Sequence, residues 1–270
     1  KDRYRFWGTV ACGFLCGMAV GTKLTGLVAP FLCGVILLKR FFKEKEYLEE
    51  LARIGMFVGV MASVYVFGWW LHFTLLTGPG PGDAFYVRSG VFWTDFVKLQ
   101  QVMHAANVRI TTFHSYASHW YGWPFMHKPI FYWVQDQRLI YFLGNPVVWY
   151  GGFALFLCSF FAFLKNSKKW KKKTGFALLG YWISFAPYIP VARPLFLYHY
   201  MTPLVFSIAS GLLWWQETGS GRHVLKSQRW FAFLVALLLV GFIAITPLIY
   251  GYDLPGHFQL TLFEFMPNWR

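Results

Sequence analysis

The sequence predicts an all-α polytopic membrane protein, and three observations predict it. Hydrophobic residues make up 57% of the 270 residues and charged residues 13%, about half the charged share of an average soluble domain. The apolar residues are gathered in long blocks free of Asp, Glu, Lys and Arg. The lysines and arginines fall between these blocks, concentrated in every second loop.

The first apolar region, residues 6–38, is charged only at Lys23. It is too long for one straight crossing of a roughly 30 Å hydrocarbon core, which takes about 20 helical residues. It reads as two short helices meeting near residues 21–26. The basic start at residues 1–5 imitates a signal peptide, but the apolar run continues past any small-residue cleavage site and reads as a membrane helix. Residues 54–82, 143–164, 174–192, 194–216 and 230–252 each form a further uncharged span. The result is about seven crossings, three over residues 6–77 and four over residues 145–252. Cys12, Cys16, Cys33 and Cys158 all lie within spans, without metal-ligand spacing, and read as small packing residues.

Charge orients the chain. Seventeen of the 25 Lys and Arg residues lie in segments 1–5, 39–53, 165–173 and 222–229, which alternation puts on one side. That side is cytoplasmic. Its counter-charge is the anionic lipid surface rather than nucleic acid, despite a net charge of +14. Lys23 then sits at the outer turn of the first hairpin.

The outer side carries one large loop, residues 78–144. It opens on Gly78-Pro-Gly-Pro-Gly82, which breaks helix geometry. Phe92, Phe96, Leu99 and Met103 then recur at helical spacing and predict an amphipathic helix lying in the membrane interface; packing on another part of the protein is the alternative. An aromatic run over residues 114–135 follows, with Trp120, Trp123, Tyr132 and Trp133 as headgroup-zone residues. There is no internal repeat and no soluble-domain boundary, so residues 1–270 read as a single membrane domain.

Charges at membrane depth are expensive and therefore mark function. Three places qualify: Lys23 in Gly21-Thr-Lys-Leu-Thr-Gly26, the loop from His114 to Lys128, and Arg193 in the stretch leading to His199 and Tyr200. All three face the outer leaflet, where cations with hydroxyl and imidazole donors suit a lipid phosphate. Each has a structural alternative: Lys23 snorkelling to the interface, Arg193 as an ordinary loop charge, His199 as a satisfied core histidine. His114, His119 and His127 have no metal-site spacing, and no protein-bound metal is expected.

These stretches resemble the protein O-mannosyltransferase family. The segment His114-Ser-Tyr-Ala-Ser-His-Trp-Tyr-Gly-Trp-Pro-Phe-Met126, running on through Lys128-Pro-Ile-Phe-Tyr-Trp133, is similar to the family's His-Pro-Tyr-x-Ser-x-Trp-x-x-Trp-Pro-Leu, with Ser115 in place of the usual Pro. Leu143-Gly-Asn-Pro146 and the stretch from Arg193 to Tyr200 with Pro203 are also family-like. Gly21-Thr-Lys-Leu-Thr-Gly26 is a broader match, shared by related lipid-dependent glycosyltransferases.

The resemblance implies a GT-C type glycosyltransferase that moves mannose from a polyprenyl-phosphate-linked donor to Ser or Thr hydroxyls of proteins, with inversion, at the extracytoplasmic face. It implies lipid-phosphate contacts from Lys23, Lys128, Arg193, His199 and Tyr200, and a sugar and acceptor pocket shaped by His114, Trp120 and Trp123. No cofactor beyond the donor lipid is implied. The family's acidic Asp-Glu pair, in its first extracytoplasmic loop, has no counterpart here, so the chain is expected to be the C-terminal part of a longer enzyme whose N-terminal part is its partner. The outer carboxylates Asp83, Asp95, Asp136, Asp253 and Glu264 sit in no family motif. The loop is too short for the β-trefoil insert of eukaryotic members, which favours a bacterial plasma membrane over the ER membrane. A non-catalytic partner subunit and a membrane transporter are the competing readings.

Overall fold

A computed structural model describes residues 2–44, 46–81, 83, 86–110, 112–136, 138–166, 173–218 and 227–253. The basic segments 167–172 and 219–226, and the carboxylate Glu264, lie outside the described residues. The chain divides into two compact units, Lys1–Ile110 and Thr111–Arg270.

In the first unit the apolar region around Lys23 forms two helices as expected, α1 (Asp2–Thr22) and α2 (Val28–Glu44), joined by a 3-10 turn at Leu24–Leu27. The long α3 (Tyr47–Leu75) follows. Gly17 lets α1 lie directly on α3: a Cβ there would stand 2.7 Å from the Val64 Cβ and 2.8 Å from the Met61 carbonyl. Small residues allow such close approach where the surrounding lipid is as apolar as the side chains. At the α2–α3 elbow the fully buried Glu50 accepts from Arg40 at 3.1 Å and is also paired with Arg53, which reaches Glu49 at 3.2 Å.

The predicted amphipathic helix is α4 (Phe92–Arg109). Its apolar stripe faces α3: Phe92 meets Phe73 and Phe96 meets Tyr65 edge-on, and the Tyr65 hydroxyl donates to Gln100 at 2.9 Å. Asp95 fixes its entry by accepting from the backbone N–H of Ser89 (2.6 Å) and Gly90 (3.3 Å).

The second unit contains a feature absent from the all-α expectation. An antiparallel hairpin is formed by β1 (Ile130–Gln135) and β2 (Arg138–Phe142), pairing from Ile130–Phe142 to Gln135–Arg138 with a one-residue register shift between Phe131 and Trp133. Its aromatic and β-branched side chains suit a pleated surface. Asp136, at φ +54°, starts the reversal.

Helix α5 (Pro146–Lys165) starts at Asn145, whose side chain accepts from Val147 N–H at 2.9 Å, with Pro146 in the first helical position. That is the local reason for the Asn-Pro pair. The same Asn145 donates through Nδ2 to the Leu238 carbonyl at 2.8 Å, tying α5 to α8 (Gln228–Tyr250). Helix α7 (Met201–Glu217) packs on α5 through Ser207, which donates to the Gly152 carbonyl at 2.6 Å, and through the Ser159–Ser210 pair at 3.1 Å. Such bonds contribute about 0.6 kcal/mol each between membrane helices. The close approach at Gly211, where any Cβ would collide with Leu155, is the stronger determinant.

Helix α6 (Lys173–Phe185) ends well before the predicted boundary at residue 192. Pro187 lacks the N–H that would continue the helical ladder, and the chain tightens into a 3-10 turn at Ala186–Tyr188. The next span also starts late, because residues 194–196 lie outside any helix, with Phe196 extended, before a 3-10 turn at Leu197–Tyr200 leads into α7. The residues from 186 to 196 thereby leave the helices and form a strap. Among the described residues, four helical segments are long and apolar enough to cross a membrane: 24–44, 47–75, 146–165 and 228–250.

Candidate functional site

The second unit holds a cleft of about 620 Å³ between two lips. One lip is the aromatic loop, contributing His114, Ser118, His119, Trp120, Tyr121, His127 and Lys128. The other is the strap, contributing Val191 to Leu195 and so Arg193. Four residues singled out from the sequence, His114, Trp120, Lys128 and Arg193, are thus brought together although up to 79 positions separate them.

Local structure explains the meeting. The chain turns through a 3-10 helix at Trp120–Phe125 and is sharply reversed at Met126, whose φ is +46°; His127 N–H then closes back on the Gly122 carbonyl at 3.1 Å. A non-glycine residue in the left-handed region costs about 1 kcal/mol, and this one returns Lys128 to the cleft. The lips are stitched by Ser118: its N–H donates to the Leu195 carbonyl at 2.8 Å, while its hydroxyl accepts from Trp123 Nε1 at 2.9 Å. His114 accepts from Tyr116 N–H through Nδ1 at 3.2 Å, which leaves its ring proton on Nε2, and its ring meets Phe196 edge-on at 4.9 Å.

The cleft is electropositive. Arg193 and Lys128 are half-buried in it, and none of its lining residues among those described is a carboxylate. Arg193 also acts electrostatically on the hydroxyls of Tyr188 and Tyr198. Two cations, several imidazoles and hydroxyls, and aromatic walls can hold an anionic group beside an apolar or sugar-like one. No group of three His, Cys, Asp or Glu residues placed to hold a metal ion occurs among the described residues.

A family model, the C-terminal four-transmembrane region of protein O-mannosyltransferase, matches residues 92–269 and so covers the whole cleft. The chain belongs to the protein O-mannosyltransferase family. Similar proteins include a dolichyl-phosphate-mannose–protein mannosyltransferase of Saccharomyces cerevisiae (31% identical over 48% of this chain), one of Candida albicans (28% over 66%), and a polyprenol-phosphate-mannose–protein mannosyltransferase of Corynebacterium glutamicum (21% over 98%). This chain spans 19%, 28% and 58% of those proteins' lengths, respectively. A solved structure of the Saccharomyces cerevisiae protein O-mannosyltransferase Pmt1–Pmt2 complex bound to the sugar donor shares the fold, with a TM-score of 0.54 at 22% identity, covering 72% of this chain and 29% of that one. The chain is therefore an integral membrane protein of GT-C architecture.

Within this O-mannosyltransferase region the remaining sequence candidates lie elsewhere. Trp123, expected in the sugar pocket, is fully buried under the cleft; its carbonyl accepts from Trp149 Nε1 at 2.7 Å and its ring stacks on His199 at 5.7 Å. His199 and Tyr200, expected at the phosphate, are also buried in the core, Tyr200 against Trp149, Tyr181 and Phe185. Lys23 belongs to the first unit, exposed at the start of the Leu24–Leu27 turn.

Of the outer carboxylates, Asp83, Asp136 and Asp253 are exposed, and none is among the residues that line the cleft. Asp95 is committed to its cap. Burial pushes its carboxyl up, but hydrogen bonds from the Ser89 side chain and from the Ser89 and Gly90 backbone hold it below its ordinary range. Ser118, His119, Tyr121 and His127 also line the cleft, although the sequence, which marked their loop, assigned them no contact there. The signal was present, because all four lie inside the family-like segment or directly after it.

Proposed function

We propose that this chain forms the lipid-phosphate-handling part of an enzyme that moves mannose from a polyprenyl-phosphate-linked donor to Ser or Thr hydroxyls of proteins, with inversion, at the extracytoplasmic face of a bacterial plasma membrane. The observation that carries the reading is the cleft itself, in which Arg193 and Lys128 face a space bounded by His114 and Trp120 and lined by no described carboxylate. The names of the relatives, which specify dolichyl- or polyprenol-phosphate-mannose as donor, support the substrate class. The Corynebacterium relative, matched along 98% of this chain, supports the bacterial setting. The charge asymmetry of the loops supports the outer face.

In the reaction the acceptor hydroxyl oxygen bonds to the anomeric carbon while the bond from that carbon to the phosphate oxygen breaks. The hydroxyl proton goes to a carboxylate base, and the lipid phosphate leaves with the electron pair. Pre-placed cations stabilise the charge growing on that phosphate. Arg193, with its planar fork of donors, is suited to two phosphate oxygens, and Lys128 to a third as a point charge. Trp120 offers an aromatic wall to the sugar. The base comes from outside the cleft lining, and no cofactor enters, because the donor already carries the activated bond. Lys23, in the first unit, is a separate candidate for contact with a lipid phosphate.

The lack of a carboxylate in the cleft lining also favours a second reading, in which the chain serves a catalytic partner by holding lipid; the related solved structure is a complex of two mannosyltransferase chains. Transfer of radiolabelled mannose from polyprenyl-phosphate-mannose by the full-length protein in detergent tests the main reading. Arg193→Ala and Lys128→Ala are each expected to lower transfer about tenfold or more, as loss of a charge-assisted hydrogen bond does. Wild-type transfer in both variants would remove the site. Donor binding without transfer by the wild type would select the second reading.

A further inference from the structure

We propose that His199, although it does not line the cleft, is a positioning residue that holds the strap so that Arg193 stands at the phosphate. The inference rests on the cleft being a phosphate site. The strap has little freedom of its own. Pro190 and Pro194 fix φ at two positions, and Pro194 also confines Arg193 to extended backbone. One end is anchored by Val191 N–H donating to the Tyr188 carbonyl at 3.2 Å. Towards the other end, Leu195 is held by Ser118.

His199 secures the next residue, Phe196. Its Nδ1 lies 3.1 Å from Phe196 N and 2.9 Å from Phe196 O, and its own backbone N–H donates to Phe196 O at 3.0 Å. Either neutral tautomer therefore finds a partner on Phe196: an unprotonated Nδ1 accepts its N–H, and a protonated one donates to its carbonyl. The imidazole is itself clamped, stacked on Trp123 at 17° and meeting Tyr188 at 4.9 Å and Tyr198 at 4.4 Å. Trp123 in turn bonds Ser118, so one imidazole and one indole link the two lips from below. Filling the core would require only the ring; the placement of Nδ1 against the Phe196 backbone requires the nitrogen.

The test separates ring from nitrogen. His199→Phe keeps a stacking ring and loses the polar contact, whereas His199→Asn keeps an amide near the Nδ1 position and loses the ring. The probe is polyprenyl phosphate, titrated onto the full-length protein in detergent. His199→Phe is expected to weaken binding about fivefold, the effect of one hydrogen bond, and His199→Asn to restore it to within about twofold of wild type. In transfer assays the change falls on KM for the donor, with kcat retained. In an Arg193→Ala background, His199→Phe adds no further loss, because both act through the same guanidinium.

Wild-type affinity in His199→Phe, or a fully additive loss in the double variant, overturns the positioning role while a weakened Arg193→Ala leaves the phosphate site standing. Wild-type affinity in Arg193→Ala overturns both. Should His199→Phe fail to accumulate, Pro194→Ala, which frees φ in the same strap, is expected to weaken binding in the same way, and unchanged affinity there overturns the role.

Discussion

Lys23 and Arg193 are both cations at bends between apolar helices, and their surroundings differ in kind. Lys23 opens a single 3-10 turn with extended backbone at φ −163°, and it is exposed. The groove near it, about 360 Å³ between α1 and α3, is walled mainly by glycines and rings: Gly17, Gly21, Gly68, Tyr65 and Trp69. Arg193 is half-buried in a strap stiffened by three prolines, across a cleft from Lys128 and His114. The difference teaches that a formal charge at membrane depth is only the start of a site. What makes a cation useful for recognising a tetrahedral phosphate is the set of neighbours that removes its alternatives.

The comparison can be broken at several levels. The largest expected effect is on the strap's foundation. Trp123→Ala removes a fully buried indole and its hydrogen bond to Ser118, leaving only the backbone carbonyl that Trp149 uses, and is expected to destabilise the protein by about 3–5 kcal/mol, read as a lowered thermal-inactivation midpoint in detergent. The matching blow to the other bend is smaller. Gly26→Ala would drive a methyl into the Ala19 carbonyl and is expected to cost about 1–3 kcal/mol by the same measurement, without changing polyprenyl-phosphate affinity. An equal fall in affinity would mean that the Lys23 bend is as much a binding element as the strap.

A direct comparison of the charges comes next. Arg193→Ala is expected to weaken polyprenyl-phosphate binding about tenfold and Lys23→Ala about threefold or less, because an exposed cation is screened by water and salt. Reversal of that order would invert the argument. The smallest effect concerns α4. Asp95 has its carboxyl held below the ordinary value, so its contribution is complete above about pH 4 and is lost as pH falls through its folded value. Asp95→Asn should therefore flatten the acid limb of the stability profile and leave neutral-pH affinity untouched.

Much of the fold was legible because lipid imposes a simple code: the uncharged blocks carry the long helices, although α6 and α7 fall short of the spans drawn through residues 174–216. The strap was missed because residues 174–216 read as two full spans separated by one arginine. Pro187 and Pro190 carried the information, since each lacks a helical donor. The β-hairpin was hidden because Tyr132 and Trp133 serve equally as headgroup anchors and as strand residues. The cleft was half legible. The family-like segment pointed to the right stretch of chain, but a motif does not distinguish walls from foundations, so Trp123, His199 and Tyr200 were grouped with residues that line the space. The Glu50 network was readable from its spacing to Arg53, which puts the two on neighbouring turns, yet segment 39–53 was read only for its lysines and arginines.

The amide of Asn145 has a consequence for how the last helix finds its place. α8 follows α5 late in the chain, and beyond Gln228 and Arg229 at its start its surface is almost wholly apolar, with little to fix its depth in the bilayer. The donor that meets the Leu238 carbonyl, with Gly241 leaving room for the Asn145 oxygen, gives that helix a depth stop. A larger residue at 241 would lift the stop, and the segment would then settle wherever the thickness of the surrounding lipid dictated.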